Sequence, residues 1–291
     1  MAVVTAFLLP VSTVSALGAE MNPKLGAQEK FHRRQTAAGD RPVVEYTAHS
    51  RGNIQLAIAN NGTFGTLGST IPDPFTGEAI PSCTYPKGSD LVYLWVAAIW
   101  IGAVVGRDTL VSVGNEDWYR TTEFWPDVKP FGDFVYRSID INSPFYDTLA
   151  YSEQDIICEY ADTFTAVGLT GWDPTDNRPH QPLGIKVAQC SMAWSYAYAD
   201  DFILFDYQVQ NLGRRELQDV FIGIYVDGDA WHVINMGPED GWNDDIVGFY
   251  RTHPAPEGDD CLDTINVTYN ADNDGDPTSG QWDFASPRGV V

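Results

Sequence analysis

The chain has 291 residues, a hydrophobic fraction of 44% and a formal net charge of −23, from 17 basic and 40 acidic residues. A chain of this length and composition can bury a large core, which argues against intrinsic disorder. The negative charge argues against nucleic acid or an anionic membrane surface as a partner, because both would repel the protein.

The N-terminal stretch, MAVVTAFLLPVSTVSALGAE, is apolar and carries no charge before Glu20. With small residues near its end, it predicts a secretory signal peptide over residues 1–19, cleaved near Gly18 or Ala19. The usual basic n-region is missing, so a start further upstream stays open, and a short buried helix is the alternative. Residues 20–45 show little apolar periodicity and are predicted to be a flexible lead-in.

Residues 46–291 consist of short β-branched and aromatic runs separated by Gly, Pro, Asn and Asp. Long stretches with helical periodicity are hard to find, so we predict an all-β protein with little helix. The expected architecture is an antiparallel β-sandwich, immunoglobulin-like or jelly-roll-like. It would form one large domain or two packed sub-domains with a break near 190–200. The sequence ends in SPRGVV within a strand-like run, which predicts truncation at the C-terminus.

Two hairpins are predicted from turn signals in the first half. The segment NIQLAIANNGTFGT alternates over 54–58 and then turns at 60–62. The apolar run LVYLWVAAIWIGAVVG, residues 91–106, has 16 residues, fewer than the roughly 20 that a membrane helix needs. It is predicted to be a core strand through Val105, followed by a turn and the return strand TLVSVG, with no membrane span.

A third pair of strands is predicted over residues 201–229, as a sandwich hairpin with a polar loop at 213–216. The predicted core includes Trp95, Ile99, Trp100, Phe205 and Ile222.

Within that pair, YQVQNLGRRELQDVFIGIYVDGD resembles a "strand, N-x-G, L-x-D-V, strand, D-x-D" pattern. The pattern occurs in large, uncharacterised secreted or cell-surface bacterial proteins built of immunoglobulin-like modules. LWVAAIWIGAVVGRDTLVSVG and ADNDGDP are similar to segments of the same proteins. The resemblance implies a secreted or surface β-protein of unknown activity. The C-terminal sorting module that often ends such proteins is absent from this sequence.

Four cysteines are spread along the chain, at Cys83, Cys158, Cys190 and Cys261. They are too far apart for a CxxC zinc motif. An exported protein meets an oxidising environment, so disulfides are possible in any of three pairings. Buried unpaired thiols are the equally weighted alternative.

An acidic segment near the C-terminus, NADNDGDP, predicts a calcium site. Oxygen side chains at Asn270, Asp272 and Asp274 precede Gly275, as in the first half of a calcium-binding loop. Position 12 of such a loop would be Gln281 instead of a bidentate Glu, which excludes the usual helix-loop-helix form.

Other aspartates follow neighbouring predicted strands, at Asp244 and Asp245 among others, so we expect a composite site. Carboxylates brought together there would repel one another without a cation. The predicted calcium ligands are Asp227, Asp229, Asp272, Asp274 and Asp276. The alternative is that these aspartates end strands separately and face solvent.

Catalytic motifs are not recognisable in the sequence. His232 lies close to Asp227 and Asp229, but His180 and His253 do not have metal-ligand spacing. Paired carboxylates for glycoside cleavage stay open, because their separation is spatial. Nine Trp and 14 Tyr raise the possibility of sugar stacking.

Candidate stacking platforms are WSYAYADD, EDWYRTTEFW and EDGWND, with Trp118, Trp194 and Trp242 as the central rings. Buried sandwich aromatics account for most of these rings in the alternative interpretation. The predicted function is an exported structural or adhesive cell-surface β-module, stabilised by calcium. A carbohydrate-binding module is the first alternative and part of a secreted glycoside hydrolase the second. Expected partners are surface polysaccharide or other extracellular protein modules.

Overall fold

A computed structural model describes ten segments of the chain: residues 9–10, 42–65, 70–80, 82–89, 91–115, 122–127, 132–165, 179–232, 245–254 and 262–271. Within these segments the protein contains no helix, and every pair of strands is antiparallel. The predicted all-β class and antiparallel sandwich are therefore confirmed.

The described residues form 19 strands: β1 (Leu9–Pro10), β2 (Tyr46–His49), β3 (Gln55–Ala59), β4 (Thr63–Gly65), β5 (Ile71–Pro72), β6 (Ala79–Ile80), β7 (Cys83–Thr84), β8 (Leu91–Val92), β9 (Val96–Val105), β10 (Asp108–Val113), β11 (Trp125–Pro126), β12 (Val135–Arg137), β13 (Gln154–Ala161), β14 (Ile185–Ala193), β15 (Ile203–Asn211), β16 (Gln218–Asp227), β17 (Trp231–His232), β18 (Ile246–Pro254) and β19 (Leu262–Ala271).

The strands form two main sheets and two small ones. The first sheet has ten strands in the order β1-β16-β9-β4-β3-β7-β8-β17, with β10 also on β9 and β2 also on β3. The second has five strands in the order β11-β13-β14-β15, with β12 on β13. The remaining strands form the pair β5-β6 and the pair β18-β19, which we call the ribbon.

The core lies between the two main sheets, because their strands alternate apolar and polar side chains. Ile99 and Ile101 of β9 are fully buried and pack in one cluster with Tyr160 of β13 and with Ile185 and Val187 of β14. Burying one such aliphatic side chain stabilises the fold by about 1.5 to 3 kcal/mol. A second cluster holds β3 and β4 against β15.

Of the five predicted core residues, Ile99 is fully buried, while Phe205 and Ile222 are partly buried and pack against the core. The prediction was wrong for Trp95 and Trp100, which are only half-buried. Trp100 alternates with Ile99 and therefore points to the opposite face of β9. There its Nε1 atom donates a hydrogen bond to the carbonyl oxygen of Asn115 at 2.8 Å.

The two hairpins predicted in the first half are confirmed. Strand β3 pairs with β4 across the turn at 60–62, and β9 pairs with β10 across Gly106 and Arg107. The third hairpin was predicted wrongly, because β15 pairs with β14 while β16 pairs with β9 in the other sheet. The polar loop therefore carries the chain from one sheet to the other. The stretch 190–200 covers the end of β14 and the start of the loop that joins it to β15.

The ribbon is a two-stranded structure in which most of the described side chains of β18 are exposed. On β18, Ile246 is 47% and Tyr250 is 54% exposed, and Tyr250 stacks on Tyr269 of β19 with 4.9 Å between ring centroids. Isolated two-stranded hairpins are marginally stable in water. The contacts that attach the ribbon to the sandwich therefore matter for its stability.

Candidate functional site

Two of the five predicted calcium ligands lie within the described residues, at the end of β16. Asp227 is the last residue of β16 and Asp229 follows two residues later, both half-buried. Strand β19 ends at Ala271, so Asp272 is the next residue in the chain. The positions of Asp272, Asp274 and Asp276 lie outside the described residues, as does that of Asp244.

The ribbon meets the sandwich at the turn that follows β16. The side chain of Asn270 packs directly against Gly228, which stands between the two aspartates of that turn. A Cβ atom at Gly228 would lie 2.6 Å from Cγ of Asn270, so only glycine allows this approach. One residue before β18, Asp245 accepts a hydrogen bond from the backbone N–H of Ala230 at 2.9 Å. Residues at the ends of both ribbon strands therefore contact the turn 227–230.

The register of the ribbon explains why these groups share one end. Ile246 pairs with Ala271, and Val247 pairs with Asn270. Asp245, the residue before Ile246, therefore lies at the same end of the ribbon as Asn270 and Ala271. Sequence reasoning placed the aspartates at strand ends, and the pairing brings Asp245 and Asn270 to the turn that carries Asp227 and Asp229.

Asn270 is a buried amide with unmet hydrogen-bonding capacity. Its exposed fraction is 3%, and neither Oδ1 nor Nδ2 has a hydrogen-bond partner among the described residues. Leaving such a group unpaired costs about 1 to 3 kcal/mol. An amide oxygen in this position is suited to a hard cation, which takes six to eight oxygen ligands.

The carboxylates alone do not complete a metal site in the described segments. No group of three or more His, Cys, Asp or Glu side chains converges there in a way that could hold a metal ion. A cation at the turn 227–230 would need oxygens from the amide of Asn270, from backbone carbonyls or from the segment after Ala271.

Among the histidines, His180 is engaged in the fold. Its Nε2 atom lies 2.8 Å from the carbonyl oxygen of Asp162, and its Nδ1 atom lies 2.9 Å from Oε1 of Glu123. Burial opposes the charged imidazolium, but the hydrogen bond to Glu123 and the charge of Glu123 outweigh it, so the pKa of His180 is raised. The side chains of His232 and His253 lie outside the described residues.

A buried serine–histidine pair, which the sequence did not indicate, joins the two main sheets. Nε2 of His49 lies 2.8 Å from Oγ of Ser191, and Nδ1 lies 3.2 Å from Oε1 of Gln154. That oxygen also accepts from the backbone N–H groups of Ser50 and Arg51. It is therefore an acceptor, and Nδ1 of His49 must carry the ring proton.

The pair has the arrangement of a nucleophile and its base but lacks access to solvent. His49 and Ser191 are both 0% exposed. Burial lowers the pKa of His49 to about 4, against the opposing effects of the Gln154 hydrogen bond and the charge of Asp73. A neutral, enclosed imidazole between β2 and β14 stabilises the sandwich, and no substrate can reach it in this structure.

A second buried network closes the opposite part of the sandwich around Asp162. Its carboxylate accepts hydrogen bonds from the backbone N–H groups of Leu183 at 2.6 Å and Ile185 at 2.8 Å, and from Oγ of Ser112 at 2.8 Å. Burial raises the pKa of Asp162, although these hydrogen bonds oppose the rise. The carboxylate fixes the start of β14.

The predicted stacking residue Trp194 is half-buried and lies in the loop 194–202 between β14 and β15. Its ring contacts Phe202 with 5.9 Å between centroids. In the same loop, Tyr196 and Tyr198 are exposed and nearly parallel. Trp118 and Trp242 lie outside the described residues.

Cys83, Cys158 and Cys190 are free thiols. Cys158 pairs with Gln189, and Cys190 pairs with Ile157, so the two neighbouring thiols point to opposite faces of the second sheet. Burial raises the pKa of Cys83 and of Cys190 to about 12. Cys261 lies outside the described residues.

Comparisons with protein-family models, with curated proteins and with solved structures found no match to this chain. The described segments contain no helix that is long and apolar enough to cross a membrane.

Proposed function

We propose that the chain is an exported structural or adhesive β-module of a cell surface, and that calcium stabilises it where the ribbon joins β16. The observation that carries the calcium proposal is the buried amide of Asn270, which lies against Gly228 and has no hydrogen-bond partner among the described residues. Export is proposed from the apolar segment 1–19, of which Leu9–Pro10 forms β1 on β16 in the uncleaved chain. The adhesive role is proposed from the β-sandwich and its two-stranded ribbon.

The chemistry of the junction favours a hard cation. Asp227 and Asp229 flank Gly228, and Asp245 reaches the same turn through the N–H of Ala230. Three carboxylates attached to so short a region raise the local negative potential, which a divalent cation would neutralise. The amide of Asn270 offers a further oxygen of the type that calcium prefers, and we propose Asp272, Asp274 and Asp276, which follow it in the sequence, as additional ligands.

A cation at this place has a structural use. It would tie both strands of the ribbon to β16 in the sandwich, so the ribbon would no longer depend on its own two strands. Extracellular sites with dissociation constants of about 0.1 to 1 mM are occupied where calcium is abundant. At ten times the dissociation constant, binding stabilises the folded state by about 1 to 2 kcal/mol.

The test compares thermal unfolding in a chelator with unfolding in millimolar calcium. We expect calcium to raise the melting temperature of the wild-type protein by about 3 °C. Magnesium should have a smaller effect, because it requires a stricter octahedron and dehydrates reluctantly. The double variant Asp227→Asn with Asp229→Asn should lose the calcium response, while the control Asp108→Asn, in the exposed β9–β10 turn, should keep it.

Asn270→Asp separates a cation site from a purely structural amide. In chelator, the added buried charge should lower the melting temperature, and calcium should restore it by a larger increment than in the wild-type protein. If the wild-type protein melts at the same temperature in chelator and in calcium, the calcium proposal is wrong and the aspartates only form acidic turns.

A further inference from the structure

The loop 194–202 exposes aromatic rings at one end of the sandwich. Tyr198 is 82% and Tyr196 is 41% exposed. Their ring planes differ by 16° and their centroids are 5.6 Å apart. Phe202, which contacts Trp194 at the base of the loop, is also 41% exposed. Such rings contribute little to the core, so their exposure needs another explanation.

The loop is held firmly in place by the rest of the fold. The N–H of Ser195 donates to the carboxylate of Glu153 at 2.6 Å, and the N–H of Asn53 donates to the carbonyl oxygen of Asp200 at 2.7 Å. A Cβ atom at Gly52 would lie 2.6 Å from the carbonyl oxygens of Trp194 and Asp200, so the backbones are in close contact. The rings are therefore presented by a preorganised loop, which lowers the entropy cost of binding a ligand.

Polar groups lie at the C-terminal end of the same loop, around Asp200 and Asp201. The Nδ2 atom of Asn53 donates to Oδ1 of Asp201 at 2.8 Å on the exposed surface. The charge of Asp201 raises the pKa of Tyr85, with further contributions from desolvation, from a hydrogen bond to Asp201 and from Asp200. Carboxylate, amide and phenol groups thus lie side by side, and together they can both accept and donate hydrogen bonds.

This combination fits a sugar chain better than other ligands. A pyranose has a flat C–H face, which packs on an aromatic ring, and a rim of hydroxyls, which bonds to carboxylates and amides. The nearly parallel open rings do not form the enclosing cage that recognises a quaternary ammonium group. The two aspartates and the net charge of −23 would repel an acidic polysaccharide.

We propose that the loop 194–202 binds a neutral polysaccharide, with Tyr196 and Tyr198 as the stacking platform and with Asp200 and Asp201 as acceptors for sugar hydroxyls. The site lies on different residues from the calcium junction and does not depend on it.

The test is affinity electrophoresis of the folded chain in gels containing one soluble neutral polymer each: hydroxyethyl cellulose, galactomannan, arabinoxylan or amylopectin, with alginate as the anionic comparison. At least one neutral polymer should retard the wild-type protein. Tyr198→Ala should weaken that binding about tenfold, whereas Tyr198→Phe, which keeps the ring, should weaken it less than about threefold. The matched control is Tyr146→Ala, because Tyr146 is 49% exposed but lies in another loop.

Melting temperatures of the variants, measured in parallel, show whether each is folded. The proposal is overturned if no neutral polymer retards the wild-type protein or if alginate retards it more strongly than all of them. It is also overturned if folded Tyr196→Ala and Tyr198→Ala variants bind as tightly as the wild type. If Tyr146→Ala weakens the retardation as much as Tyr198→Ala does, the polymer does not bind specifically at the loop 194–202, and the proposal is likewise wrong.

Discussion

Gln154 and Asn270 are both buried amides on long strands, yet their surroundings differ completely. Gln154 is 0% exposed, and its Oε1 atom accepts from two backbone N–H groups and the ring of His49. Its Nε2 atom donates to Asp73 at 3.0 Å and to the carbonyl oxygen of Ala48 at 3.3 Å. Asn270 is 3% exposed and makes no side-chain hydrogen bond within the described segments.

The difference separates a buried amide whose hydrogen bonds are all made within the described residues from one whose hydrogen bonds are not. Gln154 lies on β13 of the second sheet, and its side-chain partners come from β2 of the first sheet, from the two residues after β2 and from Asp73. Asn270 lies where the ribbon contacts the turn 227–230, and the described residues there provide no hydrogen-bond partner for its amide. A natural sequence rarely buries an amide without partners, and the exception is a reason to place a ligand at the junction.

Of the changes suggested by this comparison, replacing Gln154 with a side chain of similar shape should lower the free energy of unfolding the most. Gln154→Met removes the side-chain acceptor of the N–H groups of Ser50 and Arg51, and it removes one of the donors to the carboxylate of Asp73. We expect the free energy of unfolding in urea to fall by about 4 kcal/mol. The control Gln210→Met, on the exposed face of β15, should change it by less than about 0.5 kcal/mol. A small loss for Gln154→Met would mean that the network is dispensable.

The fold was predictable to the extent that it follows from alternation and turn residues. Ile99 and Ile101 alternate in a run closed by Gly106, which predicts a core strand and its hairpin. The same pattern does not say which sheet a strand joins, and the β15–β16 pair was therefore wrong. Trp100 was predicted to lie in the core, although its alternation with Ile99 places it on the other face of β9.

The sites were less predictable, because they depend on contacts between distant positions. His49 is 105 residues from Gln154 and 142 from Ser191 in sequence, and polar residues in strands usually face solvent. The sequence did indicate aspartates at strand ends and an aromatic loop around Trp194. The burial of Asn270 against Gly228 arises from the register of the ribbon, which no local pattern contains.

A second, smaller effect concerns the pH dependence of the Gln154 network. The pKa of His49 is about 4 in the folded protein, against an ordinary value of 6.5. As the pH falls, His49 binds a proton in the unfolded chain before it does so in the folded protein. The stability that is present above pH 6.5 is therefore lost as the pH falls towards 4. Between pH 7 and pH 5 the loss should be about 2 kcal/mol.

The measurement is the difference in unfolding free energy between the wild type and His49→Gln across this pH range. The difference is needed because His180 has the opposite sign: its pKa is raised, so its contribution is present below pH 6.5 and is lost as the pH rises through the folded value. A difference that stays constant from pH 7 to pH 5 would show that His49 is not held neutral.

The smallest effect is expected for Asn270, whose amide has no hydrogen-bond partner in the described segments. Asn270→Leu nearly preserves the shape of the side chain but removes two polar atoms that bond to nothing in the described segments. In chelator we expect the free energy of unfolding to change by less than about 1 kcal/mol, because losing an unpaired buried amide offsets the strain of fitting a slightly larger group against Gly228.

In millimolar calcium the same variant should lose the gain of about 1 to 2 kcal/mol that the wild type acquires, since a leucine offers no oxygen to the cation. Urea unfolding of both proteins in both buffers gives the four values needed. If Asn270→Leu in chelator loses as much as Gln154→Met, the amide has protein partners outside the described segments. Asn270 would then resemble Gln154, with its hydrogen bonds made by the protein itself, and the junction would not need a cation.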